Sequence, residues 1–154
     1  MGKVKTRIVS TAPIEKLYEM GHDVAAFPEV FPNLKKIKVI EKSGDGKFMK
    51  AEWTAGAKLI TQTHAMTWVQ EDRWDDSDMC CNFSCAKDGR GNFKYLNGKW
   101  FFKQHPQGTE MIMEVEYEID HPLMNPLIGR IIDGIMKKNN ESLLQGLKKK
   151  AEKA

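Results

Sequence analysis

A chain of 154 residues with 41% hydrophobic and 29% charged side chains can bury a core and is too apolar to stay disordered. Lys plus Arg number 24 and Asp plus Glu number 21, a net charge of +3 that is too even for nucleic acid to be the expected main partner. No apolar run approaches the roughly 18 residues of a membrane span, and Gly2-Lys3-Val4-Lys5 lacks the apolar stretch of a secretory leader. One cytoplasmic domain over residues 1–154 is expected.

In chain order, residues 4–10 alternate as a first strand. Ala12-Pro13-Ile14-Glu15 then opens a helix, with Ser10 or Thr11 as cap and Ile14, Leu17, Tyr18 and Gly21 on one face. A second short helix is expected over 23–27, ended by Pro28 and Pro32 in the elbow Phe27-Pro28-Glu29-Val30-Phe31-Pro32. Strands follow at 35–41, 48–55, 59–74, 79–86, 95–104 and 109–120. Their turns are Ser43-Gly44-Asp45-Gly46, Gly56-Ala57, Asp75-Asp76-Ser77-Asp78, the loop 88–92 and His105-Pro106-Gln107-Gly108. The chain ends in a helix over 125–151, about 40 Å long, with a wide apolar face of Leu127, Ile128, Ile131, Ile132, Ile135, Met136, Leu143, Leu144 and Leu147. Seven antiparallel strands, two short helices after the first strand and one long amphipathic helix make an α+β fold. The sheet must curl round the helix to bury both apolar faces, and the space between them is a natural ligand cavity.

Cys80, Cys81 and Cys85 are odd in number and confined to one run, so they are expected as reduced thiols. Strand alternation turns Cys80 away from Cys81 and Cys85, and His22, His64, His105 and His121 are scattered. No metal and no cofactor are expected.

Several motifs carry a resemblance over nearly the whole chain. They are Ala12-Pro13-x-Glu15-Lys16-Leu17-Tyr18, Asp23-Val24-x-x-Phe27-Pro28-Glu29-Val30-Phe31-Pro32, Asn92-Phe93-Lys94-Tyr95-Leu96-x-Gly98-x-Trp100-x-Phe102, Gly108-Thr109-Glu110 and Glu116-Tyr117-Glu118-Ile119. Together they resemble the START-like, or Bet v 1-like, superfamily built on the helix-grip fold. Within it the resemblance is to the polyketide cyclase/dehydrase family and to coenzyme-Q-binding START-type proteins. It implies a hydrophobic small-molecule ligand (a polyketide-like aromatic, an isoprenoid quinone or a lipid) held between the sheet and the C-terminal helix. The alternative it implies is a cyclase that condenses and dehydrates a poly-β-ketone, with Asp72 and Gln70 in the acid and base roles. A third, a protein-interaction module such as START-like proteins proposed to bind ribosomes, would rest on the lysines.

Residues two apart share a strand face, so His64, Met66, Trp68, Gln70, Asp72 and Trp74 form one row of the long strand. That row holds the tryptophans and is expected inside; in the resembling aromatase/cyclases the equivalents of Trp68, Gln70 and Asp72 point into the cavity. The expected ligand contacts are Trp53, His64, Met66, Trp68, Phe83, Trp100, Phe102, Met113 and Tyr117 from strands, with Ile131, Ile135 and Asn139 from the helix. Phe27 and Phe31 in the elbow are the expected gate.

Asp72 is either buried, with a raised pKa suited to general acid or base work, or solvated at the cavity mouth. Gln70 would donate to a carbonyl or enolate. The resembling aromatase/cyclases carry Ser and Arg at the positions of Gln70 and Asp72 and Tyr at that of Leu34, and they share Trp100. An acid thus stands where they hold a base. His64 reads either as a proton shuttle or as a hydrogen-bonded core histidine. One of Asn139 and Asn140 is expected to face the sheet, bonding a ligand or capping a strand end. Gly129, Gly134 and Gly146 let the helix approach the sheet, leave room for a ligand, or allow the helix to shift. Lys35, Lys36 and Lys38, with Lys148, Lys149, Lys150 and Lys153, fit either a solvated face or transient contact with anionic membrane headgroups. No oligomeric state follows from the sequence.

Overall fold

The computed structural model describes residues 2–59, 62–120 and 126–153, without the side chains of 57–64. Strand β1 (Gly2–Ser10) leads into α1 (Ile14–His22), a 3-10 turn (Val24–Ala26) and the short α2 (Phe27–Val30). Six strands follow: β2 (Leu34–Lys42), β3 (Phe48–Leu59), β4 (Gln62–Asp75), β5 (Cys80–Cys85), β6 (Phe93–His105) and β7 (Gly108–Ile119). The helix α3 (Pro126–Glu152) closes the chain. All strand pairs are antiparallel, in the order β1-β7-β6-β5-β4-β3-β2. Strands β2 to β7 are thus a meander, while the helices after β1 carry the chain from one sheet edge to the other.

Alternation sets the faces. On β1, Gly2, Val4, Thr6, Ile8 and Ser10 are buried while Lys3, Lys5 and Arg7 are exposed. These cations meet a matching acidic row on β7: Lys3 to Glu116 at 3.2 Å, Lys5 to Glu114 at 3.5 Å, and Arg7 to Glu110. Such exposed pairs add little stability, though like charges in their place would oppose this register. The inward row of β7, Thr109, Met111, Met113, Val115, Tyr117 and Ile119, meets the buried residues of α3 across the core.

Three local expectations need correction. Pro28 does not end a helix; it stands in the first turn of α2, where its missing N–H would have no helical partner anyway. Gly56 is not a turn residue. Strand β3 continues to Leu59, with Gly56 opposite Ala65 and tied on its other side to Asn33, whose backbone oxygen takes the Gly56 N–H at 3.0 Å. Neither Ser10 nor Thr11 caps α1. Pro13 is its N-cap, without a side-chain hydrogen bond, and Ser10 Oγ instead accepts from the Ala12 N–H at 3.1 Å and donates to Glu152 at 3.1 Å.

The C-terminal half of α3 is pressed onto the rest of the molecule. A Cβ on Gly146 would stand 1.9 Å from the carbonyl oxygen of Val30, so only glycine permits this approach to α2. Among the described residues, Gly129 and Gly134 have nothing within 4 Å of the corresponding position, and none of these residues makes glycine necessary there. No helix among the described residues is long and apolar enough to cross a membrane.

Candidate functional site

A cavity of about 80 Å³ lies between the inner face of the sheet, the elbow after α1, and α3. The expected residues Phe27, Phe31, Trp53, Trp68, Gln70, Asp72, Phe83, Trp100, Met113 and Asn139 all line it. Cys81, Leu96 and Val115, buried on β5, β6 and β7, line it too. Gly21, Ala55, Met136, Asn140 and Leu143 complete the wall. Both asparagines of α3 face the cavity, where one was expected; neighbours about 100° apart on a helix can straddle a facing line.

Other expected contacts fall elsewhere. Phe102 is buried against Tyr18 and Trp74 beneath α1, at ring distances of 5.3 and 6.1 Å. Tyr117 packs on Phe93 and donates its hydroxyl to the Asp133 carboxylate, so it closes the core near β1 and does not line the cavity. Met66 packs half-buried against the core, and Ile131 and Ile135 are half-buried on α3 outside the cavity wall. The side chain of His64 lies outside the described residues.

The walls are aromatic. Trp53 and Trp68, directly opposite on β3 and β4, stack at 5.9 Å and 15°. Phe27 stands edge-on to Trp53 and Trp100 at 5.8 and 6.4 Å. Gly21 makes room for this packing: a Cβ there would come within 3.1 Å of Trp74 and Phe102 and 3.2 Å of Trp100. His22 stacks on Trp74 at 3.6 Å and Tyr18 donates to Asp76 at 2.7 Å, so α1 is clamped over the end of β4.

One polar chain runs along the inner row of β4. Trp68 Nε1 donates to Gln70 Oε1 at 3.1 Å, and Gln70 Nε2 donates to Asp72 Oδ1 at 2.9 Å. The indole fixes which way the amide points, so the amide must offer its N–H side to the carboxyl. Asp72 is 6% exposed. Burial pushes its pKa up to about 6, against the opposing pull of the Gln70 hydrogen bond. Asp72 is therefore the buried carboxyl of the two sequence alternatives, not a solvated rim residue. Gln70 has one amide N–H already committed to Asp72, which leaves one for anything in the cavity.

Asn139 Oδ1 accepts from Asn33 Nδ2 at 2.9 Å, and the same nitrogen donates to the Gly56 carbonyl at 2.6 Å. Asn139 thus ties α3 to the elbow and to β3. All three cysteines are free. Burial raises the pKa of Cys81 and holds Cys85 at about 12, so both are neutral thiols and poor nucleophiles. Among the described residues no group of His, Cys, Asp and Glu could hold a metal ion.

A curved antiparallel sheet closed by a long C-terminal helix over an aromatic cavity is the helix-grip arrangement of START-like proteins. The chain belongs to the family described as polyketide cyclase / dehydrase and lipid transport, whose sequence pattern matches residues 10–144. Its structure is similar to that of a protein from Thermus thermophilus, with a TM-score of 0.84, 23% identity, and coverage of 97% of this chain and 96% of that one. It is also similar to the Zhui aromatase/cyclase from Streptomyces sp. R1128, with a TM-score of 0.83, 13% identity and coverage of 97% and 93%. A START superfamily protein from Mycobacterium smegmatis matches with a TM-score of 0.75, 14% identity and coverage of 97% and 99%. At these identities the likeness concerns the fold alone.

Proposed function

We propose that this protein binds a hydrophobic small molecule in the cavity between the sheet and α3. The observation that carries the reading is the cavity wall: mostly aromatic and aliphatic side chains, with a few polar groups held in fixed orientation. The family description, which spans cyclases and lipid transport, supports the same ligand class. At about 80 Å³ the space is roughly half that of the about 150 Å³ engineered cavity known to admit benzene, so a ring needs movement of the wall. Met113 and Met136 are unbranched and can yield. The elbow residues Phe27 and Phe31 serve as the gate in this reading. For lipid delivery, the edge strand β2 supports headgroup contact, since Lys35, Lys36 and Lys38 are exposed beside Val39 and Ile40.

A second reading is favoured by Asp72. A buried carboxyl with a pKa of about 6 is mostly ionised at neutral pH and still able to hold a proton. In an aldol cyclisation, Asp72 would take an α-proton from a ketone while the remaining Gln70 N–H donates to the enolate oxygen. The enolate carbon then attacks a second carbonyl, and Asp72 returns its proton to the alkoxide that forms; Asp72 next takes the remaining α-proton and passes it to the departing hydroxyl, which leaves as water.

Native mass spectrometry of gently purified protein, followed by solvent extraction, tests both. A retained quinone or lipid identifies a carrier. A polyketide-like aromatic favours the enzyme, and Asp72→Asn should then abolish turnover with little change in affinity. An empty protein counts against a tightly holding carrier.

A further inference from the structure

Trp68, Gln70 and Asp72 share the inner row of β4, and their hydrogen bonds run one way along it. An indole N–H can only donate, so the branch of Gln70 that meets Trp68 must be its carbonyl. The nitrogen branch is then turned to Asp72. Gln70 and Asp72 alone do not set that direction. An amide turned over would offer its oxygen to the protonated carboxyl and make a sound bond there. At Trp68, however, the turn would set one donor against another and leave the indole unpaired. The indole therefore decides between the two arrangements.

The indole is itself held. Trp68 stacks on Trp53 at 5.9 Å, and Phe93 stands edge-on to it at 5.4 Å and 84°. Little else acts on the carboxyl. Met49 and Phe83, opposite Asp72 on the neighbouring strands, are apolar. From α1, the elbow and α3 the cavity wall presents no charged side chain among the described residues. Cys81 on β5 is the other titratable group in that wall, a thiol that burial keeps neutral. Burial drives Asp72 towards its neutral form, and the Gln70 hydrogen bond opposes that drive. The bond falls on Oδ1, and no described residue bonds Oδ2.

We propose that Trp68 is a positioning residue for Asp72: its indole locks the Gln70 amide with the N–H on Oδ1, which favours the carboxylate and leaves Oδ2 as the oxygen that takes up and gives back the proton. This rests on the acid–base reading of Asp72 and deepens it, by giving the stacked indole a part in the chemistry without contact with the reacting atoms.

The test is an NMR titration of the whole protein, isotope-labelled at its aspartate carboxyls. Trp68→Phe keeps a ring against Trp53 but frees the amide to turn its oxygen to the acid form. The Asp72 midpoint, about 6 in the unmutated protein, should rise by about one pH unit, a tenfold gain in proton affinity. Gln70→Leu should raise it as well. Adding Trp68→Phe to Gln70→Leu should then move it no further, because the indole acts only through the amide. A merely structural role predicts otherwise: the smaller ring admits water and lowers the midpoint, or shifts it alike with and without Gln70. Either result overturns the proposal. Where a variant fails to fold, the unmutated protein still answers. The Trp68 indole and Gln70 amide proton resonances should follow the Asp72 midpoint, and an indole that ignores it overturns the proposal. A raised midpoint without this coupling sinks the positioning role alone. An Asp72 that titrates near its ordinary value, about 4, sinks the acid–base reading with it.

Discussion

The two halves of α3 are held in different ways. Towards the C-terminus, Leu143, Leu144, Leu147 and Ala151 are buried, and Gly146 lies against the α2 backbone. Lys16 Nζ also donates to the Ala151 carbonyl at 2.7 Å, Ser10 bonds Glu152, and Lys150 pairs with Glu29 at 3.2 Å. Towards the N-terminus Ile132 is buried and Tyr117 donates to Asp133, but Leu127 is 63% exposed, and no described residue comes within 4 Å of where a Cβ would stand on Gly129 or Gly134. The cavity residues Met136, Asn139 and Asn140 lie between these halves. Among the described residues, α3 is buried more deeply in its C-terminal half than in its N-terminal half, and the cavity lies beside the junction of the two.

The comparison can be broken at its firm end. Leu144 is fully buried, so Leu144→Ala should cost about 2–5 kcal/mol in denaturant unfolding. Ile131→Ala, at a half-buried position on the loose half, should cost less than half as much. Equal losses would mean that both halves are anchored alike.

The cavity wall carries a buried charge, and its cost can be measured. The folded pKa of Asp72, about 6, lies above its unfolded value. The native state therefore holds more protons between about pH 4 and pH 6, so this group's contribution falls as pH rises through that window and stays low above it. Asp72→Asn removes the charge and can keep the Gln70 bond. It should stabilise the protein at pH 8 by up to roughly 3 kcal/mol, with no gain at pH 4. A gain independent of pH would place its origin in packing.

At the loose half, Gly134→Ala meets open space on a helix, and thermal melting should show a gain of about 0.5–1 kcal/mol. Gly146→Ala should destabilise, because its Cβ would overlap the Val30 carbonyl. The smallest effect belongs to the sheet's outer face: Lys5→Ala removes an exposed pair and should shift stability by about 0.5 kcal/mol or less.

The strands, the long helix and the inward row of β4 were legible because period two and period 3.6 are imposed by backbone geometry. Asp72 and Gln70 were found that way, and so were Trp53 and Trp100. Being inward, however, is not the same as lining a cavity. Phe102 and Tyr117 sit on inward rows and are covered by α1 and by the core near β1. How α3 is turned against the sheet is a tertiary fact, so the apolar stripe suggested Ile131 and Ile135 while Met136, Asn140 and Leu143 reach the cavity. Gly21 contributes by lacking a side chain, and Pro28 looked like a stop when it was a start; neither signal is decided by local pattern.

Trp68, Gln70 and Asp72 occupy every second position of one strand, so they share a single fate. Deleting one residue just before Trp68, with strand pairing otherwise kept, would turn all three to solvent and bring Val69, Glu71 and Arg73 inside. The cavity would exchange an indole, an amide and an acid for an aliphatic, an acid and a base in one genetic event. On this scaffold the lining of the cavity can change as whole rows, by slippage of register, and need not change one substitution at a time.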